Sequence, residues 1–454
     1  MLKGTLGGAD TAIWQKDKKN VQDLSCGVIN GAERWRNEVV HRCRLYSYND
    51  KSPNKGREGS YPMETVELIV ECSSNLEKFL LEIGKHKYSI PLINSHVIEV
   101  PKEDIWRIRN IKGVNIVHNS SIVTLSKANR KPSKTKRSKV SAQINEAKKH
   151  INAEHIHEIS GGGKGVTIAI LDTGISLVPD FTMPTNRIIA FKDFVNGKEE
   201  AYDDNGHGSH VAGIAAGNGY QSEGKYSGLA PECNIVSVKI LDKEGKGSAG
   251  DVLAGLQWIA DNKDRYNIRV ANLSIGTEDV GSKDPLVRIV EAAWDLGIVM
   301  VIAAGNNGPA PATITSPGIS RKVITVGASD DENPTNVMGD TLENFSGRGP
   351  TSECIFKPDV IAPGSGITSV RSLMLSDNEA ESRGLHKVGD YYIKMSGTSM
   401  AAPIVSGAVA LLLQNHPELK PNDVKQRLKQ SAKSLNCSQN QQGWGLLDVE
   451  QFIK

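Results

Sequence analysis

The sequence lacks any uninterrupted apolar run long enough to span a bilayer. Residues 1–10 lack an apolar core of signal-peptide length, so no membrane partner is expected and the expected compartment is the cytoplasm. An excess of charge of one sign is missing too. The formal net charge is +2 over 454 residues, so no global field calls for a nucleic acid or a membrane surface. The cysteines Cys26, Cys43, Cys72, Cys233, Cys354 and Cys437 include no close pair, and reduced thiols are expected. CxxC and His/Cys metal spacings are absent, which argues against structural zinc, and no metal-ligating residue is expected.

What is present suffices for two or three domains and a large core. Glycine is abundant, at 44 residues, as suits a loop-rich enzyme with close backbone approaches. Residues 1–62 read as an N-terminal extension of unknown role, with one short helix over 32–41 and a linker over 49–62 rich in Ser, Gly, Pro and charge. Residues 63–125 read as a small α+β unit: a strand at 66–71, a helix at 74–83 with a Ser or Asn cap, two strands within 88–100, a helix at 102–111 and a last strand at 114–125. That order is ferredoxin-like. Residues 126–140 form a basic, apolar-poor run, read as an exposed linker and processing segment. A nucleic-acid tail is the alternative for this run, which lacks the aromatics that stack on bases, so nucleic acid is not the expected partner.

From residue 166 the chain alternates apolar strands (166–171, 234–240, 299–304) with helical spacings (250–262, 284–296). Such alternation indicates an α/β sandwich around a mostly parallel sheet, in which active residues gather beyond the C-terminal strand ends. Three short strings carry chemistry: Leu171-Asp172-Thr173-Gly174, His207-Gly208-Ser209-His210 and Gly397-Thr398-Ser399-Met400. They supply an acid, a base and a nucleophile. A serine hydroxyl is a weak nucleophile that must pass its proton to an imidazole, which needs a carboxylate to hold its tautomer. Taken singly, each residue has a plainer reading. Ser399 could cap the helix that runs to Leu413, Asp172 could form a turn, and His207 with His210 could suggest a metal pair without a third ligand. Asp203 and Asp204 compete as the acid, but sit in a polar run and are expected to be exposed.

Together the strings resemble the subtilisin-like serine proteases, peptidase family S8, over residues 141–454, and the Asp, His, Ser order is the one known for subtilisin. Ala303-Ala304-Gly305-Asn306-Asn307-Gly308 resembles the family's oxyanion segment, with Asn306 as donor, and Asn272-Leu273-Ser274-Ile275-Gly276 resembles the strand that pairs with substrate. Met400 resembles the subtilisin and proteinase K branch rather than the dibasic-processing one. The long N-terminal region looks most like the intracellular, AprX-type proteases of spore-forming bacteria. The resemblance assigns Asp172, His207 and Ser399 to catalysis and His210 to structure. It implies a subtilisin-like three-layer sandwich, protein or peptide substrates, and residues 63–125 as an inhibitory propeptide, the alternative being an unrelated binding module.

Further expectations follow from the resemblance. Ser274, Ile275, Gly276, Ala303, Ala304 and Gly305 would bind substrate and wall a small-lined pocket, with Thr315 at its floor, giving broad specificity for apolar P1 side chains. Self-cleavage is expected near Leu125 or Ser126. No cofactor is required, with room for a weak calcium site whose ligands the sequence does not name. The rival function is a protease-like scaffold or regulator that acts by binding.

Overall fold

The computed structural model describes residues 64–72, 76–125, 144–156, 160–277, 281, 283–330, 341–342 and 344–454. The helix expected at 32–41, the linkers at 49–62 and 126–140, and Ser126 lie outside them. All described residues belong to one unit, Met63–Lys454.

Alternation along the first strand sends side chains to two faces, and the fold buries both. Strand β1 (Thr65–Cys72) is followed by helix α1 (Glu77–Ile83), β2 (Lys85–Ile90), β3 (Ser95–Pro101), helix α2 (Ile105–Arg109) and β4 (Val114–Asn119). The strands pair antiparallel in the order β2-β3-β1-β4, a ferredoxin-like arrangement. Leu68, Val70, Ile98 and Val100 meet Leu80 of α1 and Ile108 of α2 in a small core. Ile69, Ile90, Ile93 and Val97 belong instead to the main core. A turn through Asn94, at φ 51, separates β2 from β3, and asparagine tolerates that left-handed backbone. The cap expected at Ser74 or Asn75 lies outside the described residues.

Residues 114–125, expected as one strand, divide in two. β4 stays in this sheet, while β5 (Ile122–Leu125) leaves it to pair with two segments of the larger domain. That domain is built on an eight-stranded sheet. Its strands are β6 (Thr167–Asp172), β7 (Ile188–Asp193), β8 (Asn234–Lys239), β10 (Ile268–Leu273), β12 (Val299–Ala303), β13 (Ile324–Asp330), β14 (Thr341–Leu342) and β15 (Val360–Pro363), in the order β14-β13-β12-β10-β6-β8-β7 with β15 also on β13. Only the β13–β14 pairing is antiparallel. β6 and β12 are buried at every position, which is why they read as continuous apolar runs. Two short strands, β9 (Lys246–Ser248) and β11 (Ile275–Gly276), stand apart from this sheet.

Helices α3 (His207–Ala216), α4 (Ala249–Asp261), α5 (Pro285–Asp295) and α6 (Thr398–Asn415) cover the sheet. Ser248 caps α4, and Asp284 followed by Pro285 starts α5. Gly255 of α4 lies against Val238 and Leu171, whereas Ser406 of α6 donates to Asn272. Leu171 is paired with Leu273, one residue beyond Asn272, so α4 and α6 lie on opposite faces and the architecture has three layers. By length and composition α6 passes the test for a membrane span, which the sequence reading did not expect. Here 89% of the helix is buried inside the protein, so it serves as the central core helix.

His210 is fully buried in α3, its Nε2 donating to the carbonyls of Ile367 and Ile393 at 3.1 Å. Burial pushes its pKa down to about 3. The ring therefore stays neutral in the fold while the unfolded chain takes up a proton below its ordinary value of 6.5. Stability contributed by the neutral ring is intact above that pH and is lost as pH falls towards 3, by up to about 1.4 kcal/mol per pH unit. In an Ser399→Ala background, urea midpoints measured from pH 7 to pH 4 should fall more steeply for the parent than for His210→Gln. Parallel slopes would contradict this account.

Candidate active site

The C-terminal ends of β6, β10 and β12 and the first turns of α3 and α6 deliver the chemically expected residues. β6 ends at Asp172, which is fully buried. The His207 ring, at the first position of α3, holds its Nδ1 2.8 Å from Asp172 Oδ1 and 3.0 Å from Oδ2. A carboxylate only accepts, so Nδ1 carries a proton, and in the neutral imidazole the lone pair is then on Nε2.

This pair is held by a network. Thr173 Oγ1 donates to Asp203 at 2.8 Å and accepts from Gly208 N at 2.9 Å, tying β6 to α3. Asp203 also accepts from the backbone of Asn205, Gly206 and Ser209 and from the Ser209 hydroxyl. The buried Lys239 ammonium donates to the carbonyls of Thr173 and Leu241 and to Asp204. Gly208 is required by close approach: a Cβ there would stand 2.2 Å from the Gly174 carbonyl oxygen. Asp203, expected to be exposed, is fully buried. Its polar neighbours are the backbone donors that satisfy it, not a sign of solvent.

Ser399 sits in the first turn of α6, 2% exposed. Its hydroxyl donates to the Ser274 carbonyl at 3.3 Å, and the Ser274 hydroxyl donates to the Ser399 carbonyl at 3.2 Å. The serine is thus brought to the substrate-type strand rather than hydrogen-bonded to His207, although α3 and α6 pack together. Asn306 Oδ1 accepts from Thr398 N at 2.9 Å and Thr398 Oγ1 at 3.0 Å. These bonds fix the amide plane, and a Cβ on Gly397 would stand 3.1 Å from Asn306 Nδ2.

β5 occupies the cleft beside these groups. It is the middle strand of a three-stranded antiparallel sheet, with Leu125 opposite Ile275 and Thr124 opposite Gly276 on one side. On the other side Ile122, Val123 and Thr124 face Ser248, Gly247 and Lys246. Leu125 N also donates to the Gly245 carbonyl at 3.0 Å. Val123 is fully buried. Thr315 lies between Gly276 and Gly305: a Cβ on either glycine would come within 2.4 or 2.6 Å of its side chain. Ala303 and Ala304 are buried immediately before Gly305.

Comparison with known proteins identifies the family and the fold. The subtilase family model matches residues 163–445. The chain belongs to the subtilase family. It is 46% identical over 299 residues to serine protease AprX of Bacillus subtilis (strain 168), covering 64% of this chain and 66% of that one, or about two thirds of its length. It is 34% identical over 301 residues to subtilisin BL of Lederbergia lenta, covering 66% of this chain and 95% of that protein. In structure it resembles fervidolysin from Fervidobacterium pennivorans, a keratinolytic enzyme related to subtilisin. That likeness has a TM-score of 0.66 over 88% of this chain and 62% of that chain; at 24% identity it bears on fold alone. The subtilisin-like α/β fold expected from the sequence is thereby confirmed, and the protein is a subtilisin-like serine protease.

Two parts of this subtilase site escaped the sequence reading. One is the Asp203–Thr173 network. The other is β9, the second strand that flanks β5, whose signal was the glycine pair Gly245 and Gly247 in an otherwise charged turn. A Cβ on Gly245 would meet the Leu125 side chain at 2.6 Å, so glycine there leaves room for the inserted strand. Thr173→Val removes one donor to Asp203 and leaves Gly208 N without its acceptor. It should cost about 1–3 kcal/mol of stability, read from the unfolding midpoint. It should also slow fluorophosphonate labelling of Ser399, because His207 loses its fixed placement. An unchanged labelling rate would remove Thr173 from the positioning network.

Proposed function

We propose that the protein is a cytoplasmic serine endopeptidase in which Asp172, His207 and Ser399 act as a triad and Asn306 as an oxyanion donor. The observation that carries this reading is a strand of the chain itself, β5, lying like a substrate between β9 and β11 beside Ser399. Rotation of the Ser399 side chain away from the Ser274 carbonyl lets its hydroxyl pass a proton to His207 Nε2 and attack a peptide carbonyl. Asp172 stabilises the imidazolium. The Ser399 backbone N–H, at the positive end of α6, and the Asn306 amide receive the oxyanion. The protonated His207 then gives its proton to the leaving amine, and water hydrolyses the acyl-enzyme by the same steps in reverse.

Recognition is by strand addition, in which main-chain bonds give affinity and side-chain pockets give preference. Gly276, Ala303, Ala304, Gly305 and Thr315 offer small, uncharged walls, which supports broad specificity with apolar P1 residues. The free thiols of Cys72, Cys233, Cys354 and Cys437 support a reducing compartment. Residues 63–125 we assign as an intramolecular inhibitor released by self-cleavage. Leu125 pairs with Ile275, the neighbour of Ser274, whose carbonyl holds the Ser399 hydroxyl, which supports self-cleavage near Leu125 or Ser126.

A binding-only scaffold is the competing role, favoured by the Ser399 hydroxyl resting on Ser274 rather than on His207. Ser399→Ala separates the two. Casein hydrolysis should fall by about a million-fold, the size known for subtilisin's serine. Asn306→Ala should lower kcat by roughly 100- to 1000-fold, as known for the corresponding subtilisin donor. N-terminal sequencing of active protein should read from just after Leu125 or Ser126 or, after further trimming, from within 127–140, while Ser399→Ala protein stays uncut. An active enzyme that begins beyond residue 166, or hydrolysis that survives Ser399→Ala, would reject the assignment.

A further inference from the structure

We propose that Glu77, His86 and His96, outside the catalytic cleft, form a binding site for one zinc-class divalent cation. Among the described residues these three make the one cluster of His, Cys, Asp or Glu whose ligand atoms lie close enough to share an ion, all within 4.8 Å of one another.

The site is built by the small sheet and its first helix. His96 lies on β3, 6% exposed, and His86 on the edge strand β2. His86 is opposite Ile98, two residues from His96, so both rings stand on the sheet face that also carries Ile98. That face is the one α1 covers, through Leu80. A bulge between His86 and Tyr88 shifts the register of β2 beside the site. Glu77 is the first residue of α1, and its Oε1 is 3.9 Å from His86 Nε2. Three successive elements thus converge three ligands, two imidazoles and a carboxylate, on one point, with spacings that no linear metal motif has.

The separations suit the ion. Zinc binds imidazole nitrogen at about 2.0–2.1 Å in tetrahedral geometry, which sets two nitrogens about 3.3–3.4 Å apart. His86 Nε2 and His96 Nδ1 are 3.3 Å apart. The same spacing also fits a single hydrogen bond between neutral rings, but that bond uses only one proton and leaves no role for Glu77. The Glu77 side chain is about half exposed (48%), and a small swing brings its oxygen from 3.9 Å to about 3.3–3.4 Å from His86 Nε2, the separation that two tetrahedral zinc ligands keep. Two imidazoles and one carboxylate leave a fourth position for water. The ion would pin α1 to β2, the edge strand, and to β3 beside it.

The test uses the full chain carrying Ser399→Ala, stripped of metal and dialysed against zinc chloride alone. One zinc per chain should be retained. His86→Ala should abolish it and Glu77→Gln should weaken it by more than about tenfold, the low end of what loss of an outer-sphere partner costs. Both substitutions lie on partly exposed side chains, and urea midpoints without zinc establish that the variants are folded. Zinc should raise the thermal midpoint of the parent and leave that of His86→Ala unmoved. Failure of the parent to retain zinc overturns the proposal, and so does equal retention by the folded His86→Ala protein, since the ion then sits elsewhere. Because the readout is metal content, it is independent of whether residues 63–125 inhibit the protease.

Discussion

A buried negative charge at Asp203 organises the cleft. Removing a carboxylate from water costs several kcal/mol unless donors replace the lost hydration. Here three backbone N–H groups and the hydroxyls of Thr173 and Ser209 do so, and they come from both sides of the gap between β6 and α3. The carboxylate therefore cannot be satisfied unless the loop before His207 folds back onto the end of β6. That folding brings the His207 ring to Asp172. The imidazole's orientation is a by-product of a solvation requirement met a few residues earlier.

Much of this was legible in the sequence because the signals were local. Fully buried parallel strands read as apolar runs, and Asp172, His207, Ser399 and Asn306 each sit in a short string with a distinctive glycine beside it. Where meaning lay in distant partners, the sequence was silent or misleading. Asp203 sits among Asp204 and Asn205, so it read as solvated, although its burial is set by Thr173 thirty residues earlier. The stretch 114–125 has continuous strand character, and nothing within it marks the point where β5 exchanges one sheet for another. That exchange depends on the edges of β9 and β11, which come more than a hundred residues later. His86 and His96 are ten residues apart and meet only because β2 and β3 are adjacent.

The contact between the small sheet and the larger domain combines both kinds of interaction. Ile69, Ile90, Ile93 and Val97 give it an apolar centre. Around that centre Asp251 of α4 takes Lys87 and Tyr88, Arg288 of α5 pairs with Glu71, and Gln257 accepts from Leu92 N. The small sheet is thus seated on α4 and α5, while β5 runs on from it into the cleft. Seat and strand are joined by the two residues between Asn119 and Ile122, so an element that grips the helices necessarily delivers the strand to one place in one register.

That short connection has a kinetic meaning. While the chain is continuous, β5 faces its groove at an effective molarity set by a tether of a few residues. The proposed self-cleavage would change the order of the reaction: rebinding would become bimolecular, and occupancy of the groove would then depend on dilution.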